Sequence, residues 1–414
     1  MKLALVSFFF LFSSLALAGH PADDDCWDNP LTVPLLDVSG ATIQNLDELL
    51  PLGNTFGGHV LPTSHMYLNL DRVDPGNQQS ISVDTGVLSP GEVKIVAIAP
   101  HDDTHTPGVT IQAYKVTMKI CKDTYLFVDH LNTIDSAITN ITGPISAPYW
   151  YDPNGIPIAA GADIGRTRST HALDMGVFDV NFLAPYISPL LYHPDYATLA
   201  SALSLNVSDV QILLPSKAYK KCPLDYFTSS TQSLLLAYNP RTAPPVCGDF
   251  AQDLAGRAQG SWLPLKWNSM PLLYGVDASE DEALALGYDY IDPSLPLISV
   301  GETVPLTNAA GTVVTGTLAV RDYYFSPYST PPGNLENWLF ADISTGSDVY
   351  CYRDLYTIED GAITDRVLLL QMDQQTVNGS LKTVLRVQAR DRSDCPAVGS
   401  RNLGAGMTED FARD

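Results

Sequence analysis

Val109-Thr-Ile-Gln-Ala-Tyr-Lys-Val-Thr-Met-Lys-Ile120, a polar break at Lys122-Asp123, and Thr124-Tyr-Leu-Phe-Val-Asp-His130 decide the fold. In the first run apolar and polar residues alternate, the period of a strand exposed on one face. The break reads as a turn, and the run after it is a shorter, more apolar strand. Upstream, Met66-Tyr-Leu-Asn-Leu70 and Val93-Lys-Ile-Val-Ala-Ile-Ala99 are further strands, the second expected to end at Pro100 and Asp102-Asp103. Short strands bounded by turn signals, with no long helical pattern between them, predict an all-β domain.

Downstream, residues 134–157 hold Pro144, Pro148, Pro153 and Pro157 and read as loop. Ala159–Gly165 turns into a strand, and Leu173–Val180 is another. After Pro189 the composition shifts, and Tyr196–Leu205 has the look of a helix. The expected organisation is a signal peptide over 1–18, an irregular leader over 19–45, a β domain over 46–190, a linker over 191–220 and a β-rich C-terminal domain over 221–414. Gly311–Val320, Asp348–Tyr352, Val367–Met372 and Val384–Ala389 are the clearest strands of that last domain. Trp262, Trp267, Tyr323-Tyr-Phe325 and Trp338 are expected to fill its core rather than form a sugar-stacking platform. Asp249 and Asp253 read as the cap of a short helix, with a polar cluster on a turn as the other option. No period of 20–50 residues marks a solenoid or propeller.

The 414 residues, 45% hydrophobic and 17% charged, suffice for two packed domains. A net charge of -23, from 46 acidic and 23 basic residues, argues against nucleic acid or an anionic membrane surface as partner. Lys2, the apolar run Leu3–Phe12 and the small residues of Ala16-Leu-Ala18 read as a secretory signal. A cut after Gly19 is the alternative, and it would leave His20 as an N-terminal copper chelator. No later run is long enough to span a membrane, so the chain is expected to be secreted or periplasmic and not membrane-spanning. Six cysteines, none in a Cys-x-x-Cys pair, favour disulfides, by proximity Cys26–Cys121, Cys222–Cys247 and Cys351–Cys395. Asn140, Asn206 and Asn378 begin glycosylation-type triplets.

Serine-hydrolase elbows, phosphate-cradling glycine loops and the His-Glu-x-x-His helix are all missing from the sequence. The eight histidines all fall in the first half. His20, His101, His105 and His193, in polar or proline-flanked contexts, read as surface residues. Gly53-Asn-Thr-Phe-Gly-Gly-His-Val-Leu-Pro-Thr-Ser-His-Met-Tyr-Leu68 places His59 and His65 on either side of Pro62. Imidazole is the commonest transition-metal ligand, so this pair is a candidate half-site. His130 ends an apolar strand, and His171 and Asp174 share Thr-His-Ala-Leu-Asp-Met-Gly.

Together these segments resemble the lysostaphin-type (LytM) zinc metallopeptidases. His59–Leu68 is similar to the histidine-containing entry to the family's first strand, and Ile95–Asp103 to its "V-x-A-P-x-D-G" turn without the glycine. Leu126–Ile134 is similar to "Y-x-H-L-x-x-I". Ala160–Arg166 followed by Leu173–Val177 is similar to "x-G-x-x-I-G" followed by "H-L-H-F-E". The resemblance implies a duplicated-hybrid-motif, barrel-sandwich-like N-terminal domain and zinc-dependent hydrolysis of a peptide or cell-wall-type polymer. Within it His59, His65 and Asp174 are the implied zinc ligands, and His130 the implied catalytic residue. The chain departs from the pattern at Thr63, four residues after His59 where the family has its acidic ligand, and at Ala172, where it has a catalytic histidine. Two readings follow. One is a rearranged His/His/Asp zinc site. The other, which the loss at Ala172 favours, is a decayed site left as a module that binds a polymer or a protein. Cys222–Phe227 and Cys247–Trp262 resemble segments of uncharacterised exported proteins that share this first half, which implies one architecture but no function.

Overall fold

The computed structural model describes residues 31–413 apart from 40–41, 56–58, 71, 74–79, 82–83, 104–109, 147, 169–171, 268–279, 309–311, 318–320, 329–332, 359–360, 402 and 404–407. The signal segment, the leader up to residue 30, Cys26, His20, His105 and His171 lie outside the described residues.

The alternating runs form strands, and the chain is an all-β protein in two parts. The first part contains β1 (Glu48–Leu50), β2 (Met66–Asn69), β3 (Thr85–Leu88), β4 (Val93–Asp103), β5 (Ile111–Cys121), β6 (Thr124–Leu131), β7 (Thr133–Ile134), β8 (Trp150–Ile158), β9 (Asp163–Thr167) and β10 (Ala172–Asp179). One sheet has the order β8-β4-β5-β6-β10-β2-β1, with β11 (Lys220–Lys221) added beside β10. A smaller sheet has the order β7-β9-β3. The expected turn at Lys122-Asp123 joins β5 to β6, with Asp123 at φ 61°.

Two expectations along this stretch need correcting. β4 does not stop at Pro100 but runs through Asp103, pairing His101 with Ala113 and Asp103 with Ile111. The proline-rich stretch is not all loop: α1 (Ser136–Thr142) forms behind an Asp135 cap, and β8 follows.

Period two divides the large sheet into two unlike faces. Leu68, Val116, Met118, Leu126, Val128, Leu173, Met175 and Val177 are fully buried in the main core, along with Val87 and Ile164 of the small sheet. Each such side chain contributes on the order of 1.5–3 kcal/mol by leaving water. On the opposite face Tyr125, Phe127 and Phe178 are covered by α2 (Tyr196–Leu203) and α3 (Val207–Leu213), through Tyr196, Ala200 and Val210. Asp195 caps α2 by accepting from the Thr198 amide, and Asn206 with Asp209 forms a capping box on α3.

The second part is a sheet of β12 (Gly260–Pro264), β13 (Leu284–Tyr288), β14 (Pro296–Val300), β15 (Pro305–Thr307), β16 (Val313–Thr317), β17 (Arg321–Tyr324), β18 (Tyr350–Tyr352), β19 (Val367–Val377), β20 (Ser380–Arg390) and β21 (Glu409–Ala412). The main path is β16-β15-β20-β21-β12-β13-β14-β17, and β19 joins β20 to β18. β19 and β20 pair from Val367↔Arg390 to Val377↔Ser380, so both are longer than their apolar cores suggest. Asn378 and Gly379, at φ 51° and 83°, close this hairpin as Asn-Gly turns do. Trp262, Tyr323 and Phe325 lie in the core, with Trp338 packed against it. No helix begins at Asp249 or Asp253. Asp249 accepts from the Ala251 amide, and Asp253 ties the Ile187 and Ser261 amides together. Cys222–Cys247 and Cys351–Cys395 are disulfides as expected. Cys121 is also disulfide-bonded.

Candidate functional site

The site lies at one end of the face that α2 and α3 leave uncovered. Residues directly opposite in antiparallel strands share a face, and the register sets Asp129 of β6 opposite Asp174 of β10. Asp174 is in turn opposite Tyr67 of β2. His65, two residues before Tyr67, falls on the same side, and the two rings lie 4.8 Å apart.

His130 reaches this face through a β-bulge. Val128 pairs with Val116 but Leu131 with Tyr114, so β6 carries one residue more than β5 over that interval. His130 sits there at φ 69°, a left-handed backbone that is uncommon for a residue with a side chain. Its amide donates to Asp129 Oδ1 at 2.8 Å.

The side chains then alternate imidazole and carboxylate. His130 Nδ1 lies 3.1 Å from Asp103 Oδ2, and its Nε2 3.4 Å from Asp174 Oδ2. His65 Nε2 lies 3.3 Å from the same Asp174 oxygen. His101 Nε2 meets Asp129 Oδ1 at 2.7 Å. His65 and His59 have ring centres 5.6 Å apart, and His59 Nδ1 lies 3.7 Å from Glu280 Oε2. Glu280 Oε1 accepts from Lys217 Nζ at 2.9 Å, and Lys217 also donates to the Leu61 carbonyl. Among the described imidazoles and carboxylates of the cluster, Asp174 Oδ1 is buried with no hydrogen-bond partner, and His65 Nε2, though 3.3 Å from Asp174 Oδ2, makes no hydrogen bond. Buried polar atoms are seldom left so.

The surroundings drive the two central imidazoles in opposite directions. For His65, burial dominates over the attraction of Asp174 and lowers the pKa to about 3, so the ring is neutral. For His130, burial is outweighed by the charge of Asp174 and the hydrogen bonds to Asp103 and Asp174, which raise the pKa to about 11. The carboxyls of Asp129 and Asp174 stay below their ordinary range although burial opposes it, Asp129 through His101 and His130, Asp174 through the charge and hydrogen bond of His130. His101 is raised, Asp129 overcoming the cost of burial.

Of the four residues singled out from the sequence, three meet: His65 and His130 both face Asp174. His59 stands beside His65 and turns to Glu280. His101, read as a surface residue, is instead part of the cluster. Asp103 and Asp129 escaped notice, although Asp129 adjoins His130 and Asp103 shares a strand face with His101. Glu280 and Lys217 carried no local signal.

Among the described residues no group of three or more His, Cys, Asp or Glu side chains is placed to hold a metal ion. His65 Nε2 and Asp174 Oδ1 are two donors of suitable chemistry, whereas a catalytic zinc takes three protein ligands. Of the expected set, His65 lies 3.3 Å from Asp174, while His59 Nδ1 lies 3.7 Å from Glu280. The chain matches no family model, no curated protein and no solved structure.

Proposed function

We propose that this chain is an exported binding module, built on a lysostaphin-like cleft, that does not hydrolyse what it holds. One observation carries the reading: both ring nitrogens of His130 face carboxylates, Asp103 at 3.1 Å and Asp174 at 3.4 Å. A general base needs a free lone pair and an oxyanion donor needs a free N–H. A ring kept protonated up to about pH 11 has no lone pair at neutral pH, and its two N–H groups already face acceptors. Ala172 supplies neither function. Asp174 Oδ1, buried without a hydrogen-bond partner, suits a ligand rich in N–H groups, and a peptide-bearing polymer of the cell-wall type provides them. Two disulfides and the apolar segment Leu3–Phe12 support export.

Co-sedimentation of the full chain with an insoluble peptide-cross-linked wall polymer tests this. Binding that persists in chelator, releases no soluble fragments and weakens in Asp174→Asn is the expected outcome. Fragment release that a chelator stops would sink the reading. It would establish instead a zinc-dependent hydrolase, the second reading, which the pairing of His65 with Asp174 favours. Metal analysis of the purified protein separates the two, because that hydrolase requires about one zinc per chain.

A further inference from the structure

Asn378-Gly379-Ser380 spans the turn of the β19–β20 hairpin, and all three residues are exposed. It is one of three Asn-x-Ser/Thr triplets, the others being Asn140-Ile-Thr142 and Asn206-Val-Ser208. Triplets that arise by chance fall on asparagines without regard to burial, yet Asn140, Asn206 and Asn378 are all exposed. Of the ten other described asparagines seven are not, and Asn54 and Asn337 are only 5% and 4% exposed. The surroundings of the side-chain amide differ among the three. Asn206 Nδ2 donates to Asp209 Oδ2 at 3.2 Å within the cap of α3. The Asn378 side chain has no hydrogen-bond partner among the described residues, and it borders an open cavity of about 500 Å³. The other walls are Leu265 and Lys266, which follow β12, Val377, and Thr408, Glu409 and Asp410 where β21 begins. Small-ligand sites span about 300–1,000 Å³, so one sugar ring has room here. Lys266 is paired with Glu282, and the Thr408 hydroxyl donates to Asp410. The half-buried Glu409 carboxylate makes no hydrogen bond among the described residues, which leaves it as an acceptor for a hydroxyl-bearing guest.

We propose that Asn378 carries an N-linked oligosaccharide whose first sugar occupies this cavity, with Glu409 accepting from a sugar hydroxyl. This rests only on the export part of the function proposed above. The bond that forms joins Nδ2 to C1 of the first sugar. The bond that breaks joins that carbon to a lipid diphosphate donor, which leaves with the electron pair. The proton lost from Nδ2 goes to a base of the transferring enzyme, and nothing is oxidised or reduced. The product amide keeps one N–H and leaves the backbone of Asn378 and Gly379, at φ 51° and 83°, as it is, so the turn accepts the modification.

The full chain, expressed in a eukaryotic secretory host and recovered from the medium, tests the proposal. Peptide mass spectrometry before and after an amidase, which leaves aspartate where a glycan stood, maps the modified positions. A glycan at Asn378 is expected, and its loss in Ser380→Ala although Asn378 itself is kept. An endoglycosidase that cuts between the first two sugars should act on Asn378 at least about three-fold faster in Glu409→Ala than in the wild type, the effect of losing roughly one hydrogen bond to the seated sugar. A secreted chain with unmodified Asn378 overturns the proposal and leaves the export reading standing. A chain that never reaches the medium and carries no glycan overturns both. An equal rate in Glu409→Ala removes the cavity from the proposal and leaves the glycan in solvent. The wild-type mapping needs no variant, so a poorly folding substitution cannot obscure the first outcome.

Discussion

Asp174 is the residue on which the cluster turns, because one of its oxygens faces both His65 and His130. The two imidazoles then give opposite pH dependences. His65, with a folded pKa near 3, stays neutral where the unfolded chain takes up a proton, so it costs stability as pH falls from about 6.5 towards 3. His130, raised to about 11, contributes stability that is complete below about 6.5 and is lost as pH rises towards 11. Between pH 7 and pH 4, the urea midpoint of the wild type should therefore drop further than that of His65→Gln. The difference is on the order of 1–3 kcal/mol, and equal drops would show that His65 is not buried in its neutral form. In Asp174→Asn the His130 pKa, followed by NMR, should fall by about a unit or more through loss of its largest favourable partner; an unmoved value would mean that Asp103 alone holds it. His65 was legible from its spacing to His59, and Asp174 and His130 only through the family resemblance. Asp103 was not, because Pro100 and two aspartates imitate a strand end, whereas β4 continues beyond them with its edge paired to β5.

At the scale of the element, the site depends on how closely β6 and β10 approach. Gly176 is paired with Phe127, and a Cβ at Gly176 would run into that ring. Lys115 and Lys220 flank the ring, which limits where it can go. Gly176→Ala should cost about 1–3 kcal/mol in chemical denaturation, the usual penalty of overpacking. A neutral result would show that Phe127 swings aside freely. The strands themselves were readable from period two and turn residues. Their neighbours were not: β10 pairs with β2, from Ala172↔Asn69 to Met175↔Met66, and nothing local announces a partner so distant in the chain. The helix expected at Tyr196–Leu205 forms as α2, but composition reveals neither α3 nor that both helices lie on the sheet, since their short apolar faces are completed only by Tyr125, Phe127 and Phe178.

Across the whole molecule, Glu280 connects the two parts. Its carboxylate meets Lys217 and His59, and it accepts from the Leu61 amide, 219 positions away in the chain. Despite its burial, Lys217 and His59 hold the Glu280 carboxyl below its ordinary range, while burial lowers Lys217. Glu280→Ala should cost about 3–5 kcal/mol by stranding a buried ammonium, whereas the double change Lys217→Met with Glu280→Leu should recover most of that loss. A mild single-variant effect in a denaturation series would show that water reaches the pair.

The same continuity bears on how the chain is made. The main core runs from Leu31 to Ala285, drawing in Leu235, Cys247, Phe250 and Leu263 along the way. A nascent chain that has reached residue 220 has every strand of the first part except the last, yet it still lacks the apolar side chains that close the core. Until Ala285 has been synthesised, that surface stays open, so the first part matures on the timetable of the second.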